Sequence, residues 1–351
     1  MDGFEVGTKL RGKYHVDGFL GKGAYGSVLL VTNVQLKVQQ ALKVLLRAHA
    51  GKPEIVRQFI REAQAAARLR SDHVIKIFDL DKLDDDRPYV SMEYLRGTNL
   101  KEELQRRGTL HADHAVDYLL QACDALAEAH ACGLVHRDIK PENLFLTKEP
   151  HRLKVLDFGQ SRAPSSDLSQ LDSQDHGTVG YMSPEQMTDP GSVDRRTDIW
   201  ALGIVLYECL ASVRPFQSDS ESTERHRAIK APAPALDPSV PADLQSIILR
   251  CLEKDPVKRY ESIAELVAAL APFSRDQTRA AFILERAKAM TKYSDDKPAL
   301  AADATEVDMI LQEQHAHRDA GSTIMFISAV VCGALVFVIV IWLLVMRLPA
   351  K

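Results

Sequence analysis

The chain has 351 residues, 46% hydrophobic and 26% charged, an ordinary globular composition with length for more than one domain. A formal net charge of −4 and a pI near 6.3 supply no basic field, which argues against a dedicated nucleic-acid binder. Five cysteines (Cys123, Cys132, Cys209, Cys251, Cys332) stand among apolar neighbours with no CxxC pair, so they read as reduced core or membrane residues, not as a disulfide frame or zinc site.

The opening "MDGFEVGTKLRGKY" lacks a basic region followed by an apolar run, so no signal peptide is expected and the bulk of the chain is assigned to a reducing cytoplasm. Residues 10 to 45 are rich in β-branched and apolar residues broken by turn formers, which predicts strands. "PEIVRQFIREAQAAARLR" has an early proline and helical apolar spacing, predicting a helix over 53–70. "HVIKIFDL" and "PYVSMEYL" read as two further strands. After Gly97 the character changes, and 98–132, 197–212, 242–254 and 261–270 carry helical patterns. The predicted class is therefore α+β, a β-rich lobe followed by an α-helical lobe. Residues 161–176, "SRAPSSDLSQLDSQDH", are an exposed serine- and aspartate-rich loop, and "KAPAPALDPSVPADL" is a proline-punctuated loop leading into a helix. No internal repeat is visible.

The last part differs. Residues 274–320 are mostly polar with one apolar patch, "AAFILERAKAM", and read as a juxtamembrane linker, partly helical or disordered. "IMFISAVVCGALVFVIVIWLLVM", residues 324–346, carries no charge. As a helix it is roughly 34 Å long, enough for a hydrocarbon core of about 30 Å, so a transmembrane helix is predicted, with 347–351 as a short tail beyond it.

Chemistry concentrates in "VHRDIKPENLFL", residues 135–146. Leu134, Val135, Ile139, Leu144 and Phe145 draw this segment inward, and a polar group drawn inward without a partner is costly. Its side chains must satisfy one another or face a ligand. "GKGAYGSV" places glycines at 21, 23 and 26, where backbone amides approach phosphate oxygens closely. A dinucleotide-binding turn fits the glycines as well, but it requires a helix to start at the last glycine. Val28 and the apolar run after it look instead like a second strand. "ALKVL" puts Lys43 on a strand among apolar neighbours, and Glu62 on the following helix is placed to neutralise it. "KVLDFGQS" supplies Asp157 after a strand, with Phe158 and Gly159 permitting a sharp change of direction. Asn143 and Asp157 are oxygen donors of the kind Mg²⁺ prefers.

On these motifs the chain resembles the eukaryotic-like Ser/Thr protein kinases found in bacteria. The resemblance covers about residues 10–272, with an N-lobe over about 10–95 and a C-lobe over about 96–272, leaving 273–323 as linker. It carries the glycine-rich loop (Gly21, Gly23, Gly26), the strand lysine Lys43 with its helix partner Glu62, "HRDIKPEN", "DFG", and "GTVGYMSPE" at the end of the activation segment. Ser183 replaces the alanine usual there. Asp198 matches the buried aspartate that braces the catalytic loop, and Arg259 the arginine that pairs with Glu185.

The resemblance implies roles. Asp138 accepts or orients the proton of the attacking hydroxyl, and Lys140 steadies the transferred phosphoryl group. Asn143 and Asp157 hold Mg²⁺ (Mn²⁺ by the same donors), and Lys43 contacts the α- and β-phosphates of ATP. Phe145 lies under the adenine with Leu20, Val28 and Ala41 above it, and Glu93 and Leu95 offer hinge backbone atoms behind the gatekeeper Met92. His136 and Arg137 are structural. Lys140, two residues after Asp138, and Thr178, which would contact both, indicate Ser/Thr specificity toward protein substrates. A pseudokinase would have lost one of Lys43, Asp138, Asn143 or Asp157, and a small-molecule phosphotransferase would lack "GTVGYMSPE" and Arg259.

Arg137 implies a negative partner in the activation segment. Many bacterial relatives carry threonines a few positions before Gly177 and Thr178. Here the candidates are serines (Ser161, Ser165, Ser166, Ser169, Ser173) interleaved with Asp167, Asp172 and Asp175. Ser173, then Ser169, are the expected autophosphorylation sites, with Asp172 or Asp175 as a built-in alternative. An ATP-using domain must lie inside the cell, so the kinase is expected to be cytoplasmic, held by one span. Ala329 and Gly333 form a small-xxx-small pair able to pack two such helices as a homodimer.

Overall fold

A computed structural model describes residues 4–148, 151–158 and 179–296. Gly159, the activation-segment serines, Thr178, Cys332 and the run 324–346 lie outside the described residues. Among the described residues no helix is long and apolar enough to cross a membrane.

The N-lobe is a six-stranded antiparallel sheet in the order β1-β2-β3-β4-β6-β5: β1 Lys9–Leu10, β2 Tyr14–Lys22, β3 Gly26–Asn33, β4 Val38–Leu45, β5 Ile77–Lys82 and β6 Pro88–Glu93. Strict alternation in β3 buries Leu29 and Val31 with Tyr14, Val16, Leu42, Val44 and Tyr89 on one face. The short helix α1, Arg47–Ala50, leads into α2, Pro53–Arg68. Pro53 opens α2 where a missing N–H costs nothing, and its apolar stripe sets Phe59 and Ala63 against Leu45 and Val90.

The C-lobe opens with β7, Gly97–Asn99, which pairs with β8, Leu144–Thr147, and through it with β9, Leu153–Val155. Gly97 crosses β8 so closely that an added Cβ would strike the Leu146 carbonyl and the Phe145 ring. Beside it, Lys148 N–H donates to the Arg96 carbonyl at 2.8 Å. The helices are α3 Leu100–Arg107, α4 Ala112–Ala131, α5 Pro184–Thr188, α6 Arg196–Ala211, α7 Glu221–Lys230, α8 Ala242–Cys251, α9 Ile263–Leu270 and α10 Gln277–Asp296. α6 is apolar all round and buried along most of its length, with Trp200, Leu202 and Ile204 fully enclosed.

Two readings change. The pattern over 98–132 is a short strand and two helices: Asn99 caps α3 by accepting Glu102 N–H, and Gly108 at φ 77° ends it before α4 starts. Residues 277–296, read as part of a linker, form α10, whose Ala280, Ile283 and Ala287 are buried in the C-lobe core. The packed lobe therefore runs past 272.

Candidate active site

The glycine-rich segment is the turn of the β2–β3 hairpin, with Gly21 paired to Val28, Lys22 to Ser27, and Gly23 N–H donating to Gly26 O at 2.8 Å. A strand, not a helix, follows Gly26, so the dinucleotide reading fails here. Gly26 is needed for close approach: a Cβ there would lie 3.0 Å from the Val44 carbonyl and 3.5 Å from Lys43 Cγ. Register shifts in β2 between Val16 and Gly18, and again between Phe19 and Gly21, bend this edge over the cleft.

Lys43 sits mid-strand in β4, opposite Val28 and Val90. Its Nζ lies 2.7 Å from Asp157 Oδ1 and 3.6 Å from Glu62 Oε2, so one cation joins strand, helix and C-lobe. Burial works against its charge, but the two carboxylates outweigh it and raise its pKa. For Asp157 the Lys43 charge is the leading influence and holds the carboxyl below its usual value, against the effect of burial. Glu62 is raised, because burial outweighs the attraction of Lys43. Asp157 takes a left-handed backbone, φ 45°, with the buried Phe158 beside it.

Residues 135–146 fold as a loop, a 3₁₀ turn at Pro141–Asn143, and then β8. Asn143 Nδ2 donates to Asp138 O at 2.8 Å and to Asp138 Oδ2 at 3.0 Å, and Lys140 Nζ lies 3.0 Å from the same Oδ2. The other oxygen, Asp138 Oδ1, is buried and has no hydrogen-bond partner among the described residues. With its nitrogen engaged inside the loop, Asn143 has its amide oxygen left for a cation, and Asp157 adds a half-exposed carboxylate. This hard-oxygen set fits Mg²⁺.

Beneath the loop, Asp198 Oδ2 accepts His136 N–H at 2.9 Å and Oδ1 accepts Arg137 N–H at 2.8 Å, with Arg137 held at φ 64°. His136 is fully buried, its Nε2 3.1 Å from Leu156 O and its ring 4.8 Å from that of Phe158. Arg259 binds Glu185 through two bonds of 2.7 and 2.8 Å, and Thr197 donates to the same carboxylate at 2.9 Å. Burial alone would raise Glu185 and Asp198. Arg259 for the first and His130 for the second more than reverse this, so both stay below the usual carboxylate range.

Between the lobes lies a cavity of about 830 Å³. Leu20, Val28 and Ala41 line its upper wall, Phe145 and Leu156 its floor, and Met92, Glu93 and Leu95 its back edge, with Lys43 and Asp157 at the polar end. This is the size and mix of apolar wall and few polar groups expected of a small-molecule site. Gly23 and Gly26 stand outside the lining.

Four residues at this site were not singled out from the sequence. His130 Nε2 lies 2.7 Å from Asp198 Oδ2. Lys154 Nζ donates to Glu93 Oε1 at 2.5 Å and to Val74 O at 3.2 Å, tying β9 to the hinge. Gln186 Nε2 donates to Arg137 O at 2.9 Å, joining α5 to the catalytic loop, and Thr197 braces Glu185. The only available signal was "SPEQ", a capping-box pattern that does form, with Ser183 and Gln186 bonded reciprocally.

The protein kinase domain family matches residues 14–271. Among curated proteins the chain is 34% identical over 325 residues to the serine/threonine-protein kinase PrkC of Bacillus subtilis, covering 90% of this chain and 50% of that protein. It is 38% identical over 267 residues to the serine/threonine-protein kinase Pkn1 of Myxococcus xanthus (74% and 38% covered). To the serine/threonine-protein kinase PknB of Mycobacterium tuberculosis it is 33% identical over 271 residues (75% and 43% covered). The chain thus spans half or less of the length of these relatives.

Proposed function

The chain belongs to the protein kinase family, and from that membership we propose that it transfers the γ-phosphoryl group of ATP to serine or threonine hydroxyls of proteins. The observation that carries this reading is Asp138 Oδ1, a buried carboxylate oxygen with no partner among the described residues, on a carboxylate whose other oxygen is held by Lys140 and Asn143. A buried acceptor left open is expensive unless a substrate donor completes it, and an incoming hydroxyl is such a donor.

In this reading the adenine lies between Val28 and Ala41 above and Phe145 below, with hinge backbone from Glu93 to Leu95 at its edge. Lys43, held by Glu62, takes the α- and β-phosphates. Asp138 orients the acceptor hydroxyl and receives its proton, while Lys140 neutralises charge on the moving phosphoryl group. Asn143 and Asp157 would hold Mg²⁺, or Mn²⁺, which supplies charge neutralisation at the phosphate oxygens. Catalysis is then alignment plus electrostatics. Lys140 two residues after Asp138 supports Ser/Thr specificity, as do the names of the relatives, all serine/threonine-protein kinases.

Regulation and tethering are part of the same proposal and rest on the sequence. Ser173, with Ser169 second, is autophosphorylated and pairs with Arg137; a phosphate brings more charge and three acceptor oxygens than Asp172 or Asp175. The apolar run 324–346 anchors the kinase on the cytoplasmic side of the membrane, and the Ala329–Gly333 pair packs two copies. The test of the core reading is incubation with labelled ATP and Mg²⁺ and a Ser/Thr protein acceptor, beside Asp138→Asn. Label must enter the acceptor with the natural protein and not with the variant; label absent from both, or equal in both, removes the assignment.

A further inference from the structure

We propose that Arg286, on the helix that leads from the C-lobe toward the apolar run, is a positioning residue for the phosphoryl-transfer site, acting through the loop between α2 and β5. The proposal rests on the kinase reading above.

α10 is joined to α4 by charge as well as by packing. Arg286 Nη2 donates to Glu128 Oε2 at 2.6 Å, and its Nε lies 3.3 Å from Asp124 Oδ1. Both acids are buried members of α4, while Arg286 is one-quarter exposed. Their second oxygens do not stay on α4. Glu128 Oε1 accepts Arg70 N–H at 2.7 Å, and Asp124 Oδ2 accepts the Ser71 hydroxyl at 2.6 Å. Arg70 and Ser71 follow the last turn of α2, the helix that presents Glu62 to Lys43.

The same loop is tied to the strand before Asp157. Ser71 Oγ accepts His73 N–H at 3.0 Å, His73 Nδ1 meets Leu153 O at 2.8 Å, Val155 N–H donates to His73 O at 2.7 Å, and Ile75 N–H to Val155 O at 3.3 Å. So one loop, fixed from below by two α4 carboxylates, leads on one side to Glu62 and on the other to Asp157, the two partners of Lys43. Arg286 is the cation that lets both carboxylates stay buried and aimed at that loop. Without it, two acids within one turn of α4 repel each other, and each is freed to turn toward solvent, loosening its bond to Arg70 or Ser71.

A second contact lies one turn further along α10. Thr291 lines a cavity of about 10 Å³ together with His130, Ala127, Arg195 and Ser262. That is room for about one water. His130 Nδ1 is buried and has no partner among the described residues, and its other nitrogen holds Asp198 under the catalytic loop. α10 thus closes both supports of the site, the α2–β5 loop and the Asp198 bracket. Because α10 forms the first part of the segment read as linker, ahead of the run 324–346, a pull or rotation there reaches the Lys43 ion pairs along these hydrogen bonds.

The test uses the full chain with Arg286→Ala, Arg286→Gln and the charge-keeping Arg286→Lys. It reads hydrogen exchange over residues 60–76, with residues 14–33 as internal control, alongside kcat and KM for ATP. The expected result for Ala and Gln is exchange over 60–76 faster by about tenfold or more, with the control unchanged, and kcat/KM for ATP lower by about two- to thirtyfold. Arg286→Lys should recover most of both. The proposal is overturned if exchange over 60–76 is unchanged, or if it rises equally in the control region as a uniform loss of stability. Absence of transfer in the natural protein would instead sink the kinase reading, and the exchange pattern would still decide whether Arg286 holds the loop.

Discussion

Two groups of buried charge stand on opposite sides of the catalytic loop, and the molecule completes one while leaving the other open. Below the loop, Glu185 is matched by two bonds from Arg259 and one from Thr197, and Asp198 by two backbone amides and His130. Above it, Lys43 is shared unevenly between Asp157 and Glu62, Asp157 is half exposed, and Asp138 keeps one buried oxygen without a partner among the described residues. Both groups carry desolvation costs. In the lower one protein groups offset them; in the upper one the described residues offset them only in part. Completed charge makes a scaffold, and incomplete charge makes a site.

The comparison breaks most severely in the upper group. Lys43→Met or Asp157→Ala should reduce phosphoryl transfer to background, measured with labelled ATP, while circular dichroism and melting temperature stay near those of the natural protein, since neither side chain fills core volume. Asp138→Asn should lower kcat by about 10²- to 10⁴-fold, the usual weight of a positioned acid–base group, with ATP affinity by calorimetry unchanged. Its melting temperature should stay near that of the natural protein, because the amide keeps the volume of the carboxylate and one acceptor oxygen for Asn143 and Lys140. A lower melting temperature for Asp138→Asn would mean the upper group is structural after all.

The lower group should answer in stability. Arg259→Met leaves Glu185 buried without its cation and should cost about 3–5 kcal/mol in denaturant unfolding. The pH dependence has a definite sign. Glu185 and Asp198 have lowered pKa values in the folded protein, so their contribution is fully present above the unperturbed values of about 4.3 and 3.9. It is lost as pH falls through the lower folded values. Arg259→Met removes the main cause for Glu185, so acid unfolding followed by fluorescence should begin at higher pH than in the natural protein. The smallest expected effect is at Ser183, which caps α5 and bonds Thr197 at 3.1 Å. Ser183→Ala, the residue usual in similar kinases, should cost about 1 kcal/mol and leave kcat unchanged.

Much of the upper group was legible in the sequence because its members are rare residue types in fixed short motifs: Lys43 in an apolar strand, Asp138, Lys140 and Asn143 within six positions, and Asp157 before Phe158. Glu185, Asp198 and Arg259 were reached through the family resemblance, since a buried ion pair spanning 74 positions has no local signature. His130, Lys154 and Gln186 escaped for the same reason, each being an ordinary helix or strand residue whose partner lies 49 to 68 positions away. The break at Gly108 was visible as a glycine inside a helical pattern, but the polar–apolar spacing continued across it. α10 was harder. Its Ala280, Ile283 and Ala287 stripe is narrow and set among many charges, and only α4 and α9 opposite it make that stripe a core face.

The crossing at Gly97 has a mechanical consequence. With Arg96 and Gly97 tied to β8 and Glu93 still paired in β6, Tyr94 and Leu95 are the whole of the untethered strap joining the two lobes. A strap two residues long, beside the α2–β5 loop bonded to α4 and β9, allows rotation about itself but almost no translation. A movement of one lobe against the other would then be that of jaws on a pin. Displacement then grows with distance from the pin: small at Leu95, largest at the Gly21–Gly26 lip. In the proposed reading a bound base would keep its edge in register through such a swing, whereas the phosphate end would be uncovered and covered again. A nucleotide held as proposed would therefore be indexed from the hinge outward, its departure beginning at the phosphates.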